Sequence, residues 1–80
     1  MRIPVEMPKL GFDEESGRLV GWLKQVGDRV ERGESLAEVE TQKAVFEMEA
    51  LASGILVEIV RVSDEVVAVG DVIAWLDDEG

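Results

Sequence analysis

Eighty residues with 18 acidic and 8 basic side chains give a formal net charge of −10. Such a surface repels phosphate backbones and anionic lipid, so nucleic acid and membrane are excluded as partners, and basic protein surfaces are favoured. With no cysteine and no histidine, the chain has no disulfide, no thiolate or imidazole metal ligand and no serine–histidine pair, and no metal site is expected.

The length implies one small domain, 1–80, with a thin core, because a chain of this size buries only about 60 % of its unfolded surface. The acidic residues alternate with apolar ones instead of forming long runs, so the charge does not imply disorder. No apolar stretch is long enough to span a bilayer and no signal peptide opens the chain. A cytoplasmic protein (bacterial or archaeal) is expected, with the mitochondrial matrix as the alternative, or a domain trimmed from a larger chain.

Ile3, Val5 and Met7 alternate with Pro4 and Glu6 as a first strand. Pro4 has no ladder donor, which predicts an edge strand. Residues 8–17 have no period and are rich in breakers, so they read as a loop. A strand follows over 19–24, with Val20 and Trp22 on one inward face. Gly27-Asp28 turns, Arg29-Val30 is a very short strand, and Gly33 closes another turn. Residues 36–41 alternate, with Ala37, Val39 and Thr41 against Glu38 and Glu40. Residues 44–50 alternate again, with Ala44, Phe46, Met48 and Ala50 against Val45, Glu47 and Glu49. Period-2 alternation on both sides of a two-residue break predicts a β-hairpin with Gln42 and Lys43 as its turn. Beyond a turn at Ser53-Gly54, Ile55, Val57 and Ile59 form an inward face. Asp64-Glu65 turns, Val66-Val67 is short, Gly70-Asp71 turns, and 72–76 is the last strand. No segment sustains a 3.6-residue period, so the chain is all-β.

At an offset of 37 the chain repeats itself: Gly17 meets Gly54, Leu19 meets Leu56, Val20 meets Val57, Val30 meets Val67, Gly33 meets Gly70 and Ala37 meets Ala74. The shared glycines and acids fall at turns and the shared apolar residues inside, which makes the repeat structural. Two three-strand units, each preceded by another strand, predict two small antiparallel sheets related by a rough two-fold axis. They would pack as a sandwich or flattened barrel. Lys43 falls opposite Gly80, where the second unit ends. Only the first unit runs on into a lysine-tipped hairpin, and the chain ends are expected at the opposite pole.

A lysine on a polar turn is ordinary by itself. Here, however, neither turn position carries a turn-forming Gly, Asn or Asp, so a type I-like turn that needs support from its neighbours is expected. The chain has only three lysines, and this one sits at the centre of a pseudo-symmetric sequence with no other chemistry.

These residues resemble a family. ETQKA at 40–44 is similar to the E-T-D-K-A or E-T-D-K-V hairpin tip of lipoyl domains from the acyltransferase (E2) component of 2-oxo acid dehydrogenase complexes. MPKLGFDEESGRLVGWLKQVGDRVERGESLAEVE at 7–40 is similar to that family's M-P-x-L, W-x-K, G-D-x-V and G-(D/E)-x-L-x-E elements, in register, and the Gly54 and 69–71 turns also fit. The resemblance implies a barrel-sandwich hybrid, a flattened barrel of two pseudo-two-fold sheets, with lipoic acid in amide linkage to Lys43. It implies hairpin recognition through Glu40, Thr41, Gln42 and Ala44 by a lipoate ligase or lipoyl transferase, and a loop near the arm at Leu10, Gly11, Phe12 and Asp13. The implied function is a swinging-arm carrier, reductively acylated by the thiamine-dependent E1, serving the E2 catalytic domain and reoxidised by the flavin-dependent E3. The domain itself would not be an enzyme, and in isolation would be a monomer. Residues 77–80 would start a linker in a longer acyltransferase chain.

Gln42 stands where the family has Asp, which removes a negative charge beside the arm, and the 8–17 loop differs from the usual one. Ala44 after the lysine leans toward pyruvate or acetoin complexes. Trp22 reads as core, Trp75 as an outward or edge residue near a terminus, and Phe12 either flanks the arm or anchors its loop. Glu38, Glu40, Glu47 and Glu49 read as the solvated face of the hairpin. Three further readings compete. A biotinyl carrier domain shares the fold but prefers methionine on both sides of its lysine, a glycine-cleavage carrier adds helical segments, and an unmodified interaction sandwich predicts that Lys43→Arg leaves function intact.

Overall fold

A computed structural model describes residues 1–9 and 15–78. Its strands are β1 (Arg2–Glu6), β2 (Ser16–Trp22), β3 (Arg29–Val30), β4 (Ser35–Glu40), β5 (Val45–Glu49), β6 (Gly54–Ile59), β7 (Val66–Ala68) and β8 (Val72–Asp77). They form two four-stranded antiparallel sheets, ordered β1-β8-β6-β3 and β5-β4-β2-β7. Each sheet stays open at both edges, so the fold is a sandwich and not a closed barrel. The first strand lies at a sheet edge, where Pro4 leaves no ladder donor missing on its outer side.

The two-fold of the sequence repeat is present, with one exchange that the repeat alone did not reveal. β2 pairs with β4, and β6 with β8, but each short strand crosses over. β3 joins β6 of the second unit, and β7 joins β2 of the first. Each sheet therefore contains a strand of the other repeat, and neither sheet is built from one half alone.

Bulges explain where strict alternation fails. Val20 is an extra residue between Leu19 and Gly21 opposite β4, and Val57 is its repeat mate between Leu56 and Glu58 opposite β8. A bulge moves every later side chain to the other face. Hence Leu19 and, beyond the bulge, Trp22 both turn to the core, and in β6 the inward residues are Leu56 and Ile59, not the series Ile55, Val57, Ile59. A second pair of register shifts at Leu36 and Ile73 buries the neighbours Leu36-Ala37 and Ile73-Ala74 together. The core is aliphatic: Leu19, Val30, Leu36, Val39, Leu56, Val67, Ile73 and Leu76 are at most 2 % exposed, joined by Met7, Met48 and Ala50. Trp22 is half-buried against this core and donates its indole N–H to the Arg61 carbonyl at 2.8 Å. Trp75 is half-buried opposite Pro4 of the N-terminal strand.

The shared turn acids are caps. Asp28 accepts the Gln25 N–H at 2.8 Å and Glu65, its repeat mate, accepts the Val62 N–H at 2.7 Å. Glu34 accepts the Glu31 N–H at 2.6 Å, and that bond holds its carboxyl below the usual range, with Lys24 adding to the effect against partial burial.

Several strand boundaries differ from the sequence reading, and two of them bear on the loop and the linker expected there. β2 starts at Ser16, so the early loop is shorter, and Asp77, placed at the head of the expected linker, is the last residue of β8. Gly54, which opens β6, explains its place in the repeat by space. A Cβ there would lie 2.6 Å from the Asp77 carbonyl oxygen and 3.0 Å from its carbon, both backbone atoms. Gly54→Ala must therefore push β6 from β8, and is expected to cost about 1–3 kcal/mol in a urea melt. A Gly54→Ala domain as stable as the parent would contradict this spacing.

Candidate functional site

β4 and β5 run side by side to one pole of a molecule measuring 36 × 19 × 19 Å. The last ladder pairs are Val39 with Phe46 and Glu40 with Val45. The Thr41 N–H then donates to the Ala44 carbonyl at 2.8 Å, leaving Gln42 and Lys43 at the tip. Among the described non-glycine residues only Asp64 has a positive φ, so neither tip residue adopts the left-handed backbone of a primed hairpin turn. The support that such a turn needs comes from Thr41. Its Oγ1 accepts the Lys43 N–H at 3.3 Å and the Ala44 N–H at 3.2 Å, and donates to the Ala44 carbonyl at 3.1 Å. One hydroxyl thus uses its donor and both lone pairs. Thr41→Val keeps the shape and removes all three bonds. It is expected to lower stability by about 1 kcal/mol and to speed amide exchange at Lys43 and Ala44, whereas Thr41→Ser preserves both. Exchange and a thermal melt check this together.

Lys43 is exposed, and among the described residues its ammonium makes no ion pair or hydrogen bond. At the opposite pole Arg2 pairs with Asp77, and the N-terminal amine lies 2.9 Å from Asp78. The lysine therefore projects from the end of the sandwich remote from both termini. Glu40 and Thr41 stand directly beneath it, with Gln42 and Ala44 on either side. Leu10, Gly11, Phe12 and Asp13 lie outside the described residues.

Glu40 keeps its place on the solvated face of the hairpin, its side chain 43 % exposed, and is held there by a partner. Arg18 of β2 is its cross-strand neighbour and grips one carboxylate oxygen side-on, with Nε at 2.9 Å and Nη2 at 2.8 Å. The other arm of the guanidinium reaches Asp64 at 2.7 Å. The hydrogen bond and charge of Glu40, and secondarily Asp64, raise the Arg18 pKa above its usual value, against some desolvation. Neither Arg18 nor Asp64 stood out as a site residue in the sequence. The available signal was a break in the repeat, since the mate of Arg18 is Ile55 and that of Asp64 is Gly27.

Comparison with known proteins agrees with this geometry. The family model described as "Biotin-requiring enzyme" (Biotin_lipoyl) matches residues 3–76. The dihydrolipoyllysine-residue acetyltransferase component of the pyruvate dehydrogenase complex of Corynebacterium glutamicum is 44% identical over 78 residues, which is 98% of this chain and 12% of that protein. The chain thus spans a small fraction of the length of that relative. The solution structure of the lipoyl domain of the 2-oxoglutarate dehydrogenase complex from Azotobacter vinelandii superposes with a TM-score of 0.76 at 31% identity, covering 98% of this chain and 99% of that one. Urea carboxylase of Kluyveromyces lactis contains the same fold, with a TM-score of 0.79 at 25% identity over 96% of this chain and 6% of that one. Matched by the family model over residues 3–76 and by a lipoyl domain from end to end, the chain belongs to the biotin/lipoyl attachment family as one of its lipoyl domains.

Proposed function

We propose that this domain carries lipoic acid in amide linkage to Lys43 Nζ and works as the swinging-arm carrier of an acyltransferase component, of the pyruvate or acetoin type. The observation that carries the reading is the position of Lys43, an exposed amine without a counterion among the described residues, on a hairpin tip at the pole away from the termini. The residues fit the group. An acyl donor can approach the amine from solvent, and amide formation removes a charge that no described neighbour pairs with.

When bound, lipoic acid supplies a disulfide that can be reduced and a thiol that accepts and releases an acyl group. The chain supplies presentation. Thr41 holds the backbone on both sides of the lysine, Glu40 is fixed by Arg18, and the β4–β5 ladder anchors the tip in the core. Bond-making is assigned to partners: a lipoate ligase or lipoyl transferase for attachment, then E1, the E2 catalytic domain and E3, with a monomeric domain acting in the cytoplasm. A biotinyl role is the competing reading, favoured by the family description and the urea carboxylase likeness. Gln42 and Ala44 stand where that branch prefers methionine, which weighs toward lipoate.

The test uses the domain after lipoylation, incubated separately with pyruvate-specific and 2-oxoglutarate-specific E1 and the matching 2-oxo acid. Acetyl gain with the pyruvate enzyme and little succinyl gain with the other is the expected result. The reverse preference overturns the assignment of substrate.

A further inference from the structure

The two poles of the sandwich share a framework but not an arginine bridge: Asp77, the mate of Glu40, takes the N-terminal amine at 3.4 Å. In the repeat, Arg18, Glu40 and Asp64 at the lysine pole correspond to Ile55, Asp77 and Gly27 at the other. The backbone places are equivalent: Arg18 faces Glu40 across the ladder as Ile55 faces Asp77. Asp64 and Gly27 both have positive φ, 70° and 99°. The chemistry differs. At the far pole the arginines pair elsewhere, Arg29 with Glu31 at 3.0 Å and Arg2 with Glu58 at 3.3 Å. A left-handed backbone is costly for a residue with a Cβ, and strain of this kind, when retained, clusters at functional sites. Glycine solves the same turn at the far pole. At the lysine pole an aspartate occupies it, and its carboxylate reaches Arg18 at 2.7 Å.

We propose that Arg18 and Asp64 are positioning residues for the modification of Lys43. Together they hold the Glu40 carboxylate in one place on the outer face of β4, one residue before the turn. Arg18 is a fork that takes a carboxylate side-on with one edge and a second carboxylate with the remaining nitrogen. The bridge spans β4, β2 and the turn before β7, so the last ladder residue before the tip is tied to both halves of the repeat. The modifying enzyme then meets Glu40, beside Thr41 and Lys43, in a single arrangement and with its charge balanced. Without the bridge, Glu40 is free to swing and adds an unbalanced charge to an already acidic surface. The consequence falls on docking, not on the amine that reacts. The inference rests on Lys43 being the lipoylation site.

The experiment measures kcat and KM for the domain with lipoate ligase, lipoate and ATP, for the parent, Arg18→Gln, Arg18→Lys and Asp64→Gly, with a melt of each. Arg18→Gln is expected to raise KM about fivefold with kcat unchanged, and Arg18→Lys to recover part of the loss, the size set by an exposed ion pair. Asp64→Gly relieves the backbone, so Tm holds or rises while KM still increases about threefold. A purely structural role predicts that KM follows stability, and Asp64→Gly separates the two even if Arg18→Gln folds poorly. Parental KM in both Arg18→Gln and Asp64→Gly overturns the positioning role. If the parent itself accepts no lipoate, the carrier reading fails instead.

Discussion

Lys43→Arg is expected to abolish lipoate addition completely while leaving the fold as stable as the parent. Arginine keeps the charge and nearly the length of lysine, but its guanidinium does not lose a proton in proteins and so cannot act as the attacking amine. The substitution therefore isolates the chemistry of one nitrogen. Stability should hold because, among the described residues, the Lys43 side chain makes no ion pair or hydrogen bond, and the turn is closed by backbone groups and Thr41. Exposed substitutions of this kind stay within about 0.5 kcal/mol. Intact mass after ligation, with a melt on the same sample, reads both halves. Addition to the variant would mean that Lys9 or Lys24, the other two lysines, is the acceptor.

Leu56→Ala is the second large effect, and it acts on the buried core. Leu56 is fully buried, faces Leu76 on β8, and anchors β3 through Gly27 N–H to its carbonyl at 2.7 Å and its own N–H to Asp28 at 2.9 Å. Removing the side chain leaves a cavity in the centre of a core built of few large residues. The cost is expected to be about 2–5 kcal/mol, from a total of about 4–12 kcal/mol for a chain of this length. Tm should fall by roughly 10 °C or more. A urea titration gives the number, and a change under about 1 kcal/mol would mean that Leu56 is not central to the core.

The eight strands and the hairpin were legible because alternation and turn residues are local signals. The place of Lys43 at the hairpin tip was legible because alternation stops on both sides of Gln42 and Lys43. The exchange of β3 and β7 was not, since a two-residue strand carries no pattern that selects its partner. Nor were the bulges at Val20 and Val57. One extra residue reverses the faces, and β6 was therefore read with Ile55 and Val57 inward when Leu56 holds that place. The barrel alternative fell because each sheet keeps two open edges. The role of Arg18 was not legible for a related reason. With β2 read from residue 19 it lay outside the strand, and its pairing with Glu40 depends on a register that only the folded ladder supplies.

Every functional role proposed for this domain depends on covalent attachment to Lys43. The measurement is intact mass with peptide mapping after incubation with lipoate ligase, lipoate and ATP, beside a biotin ligase reaction on the same domain. The prediction is a gain of one lipoic acid less one water, confined to the peptide containing Lys43, with no gain from the biotin reaction. Biotin added in place of lipoate, or no addition from either enzyme, would contradict it.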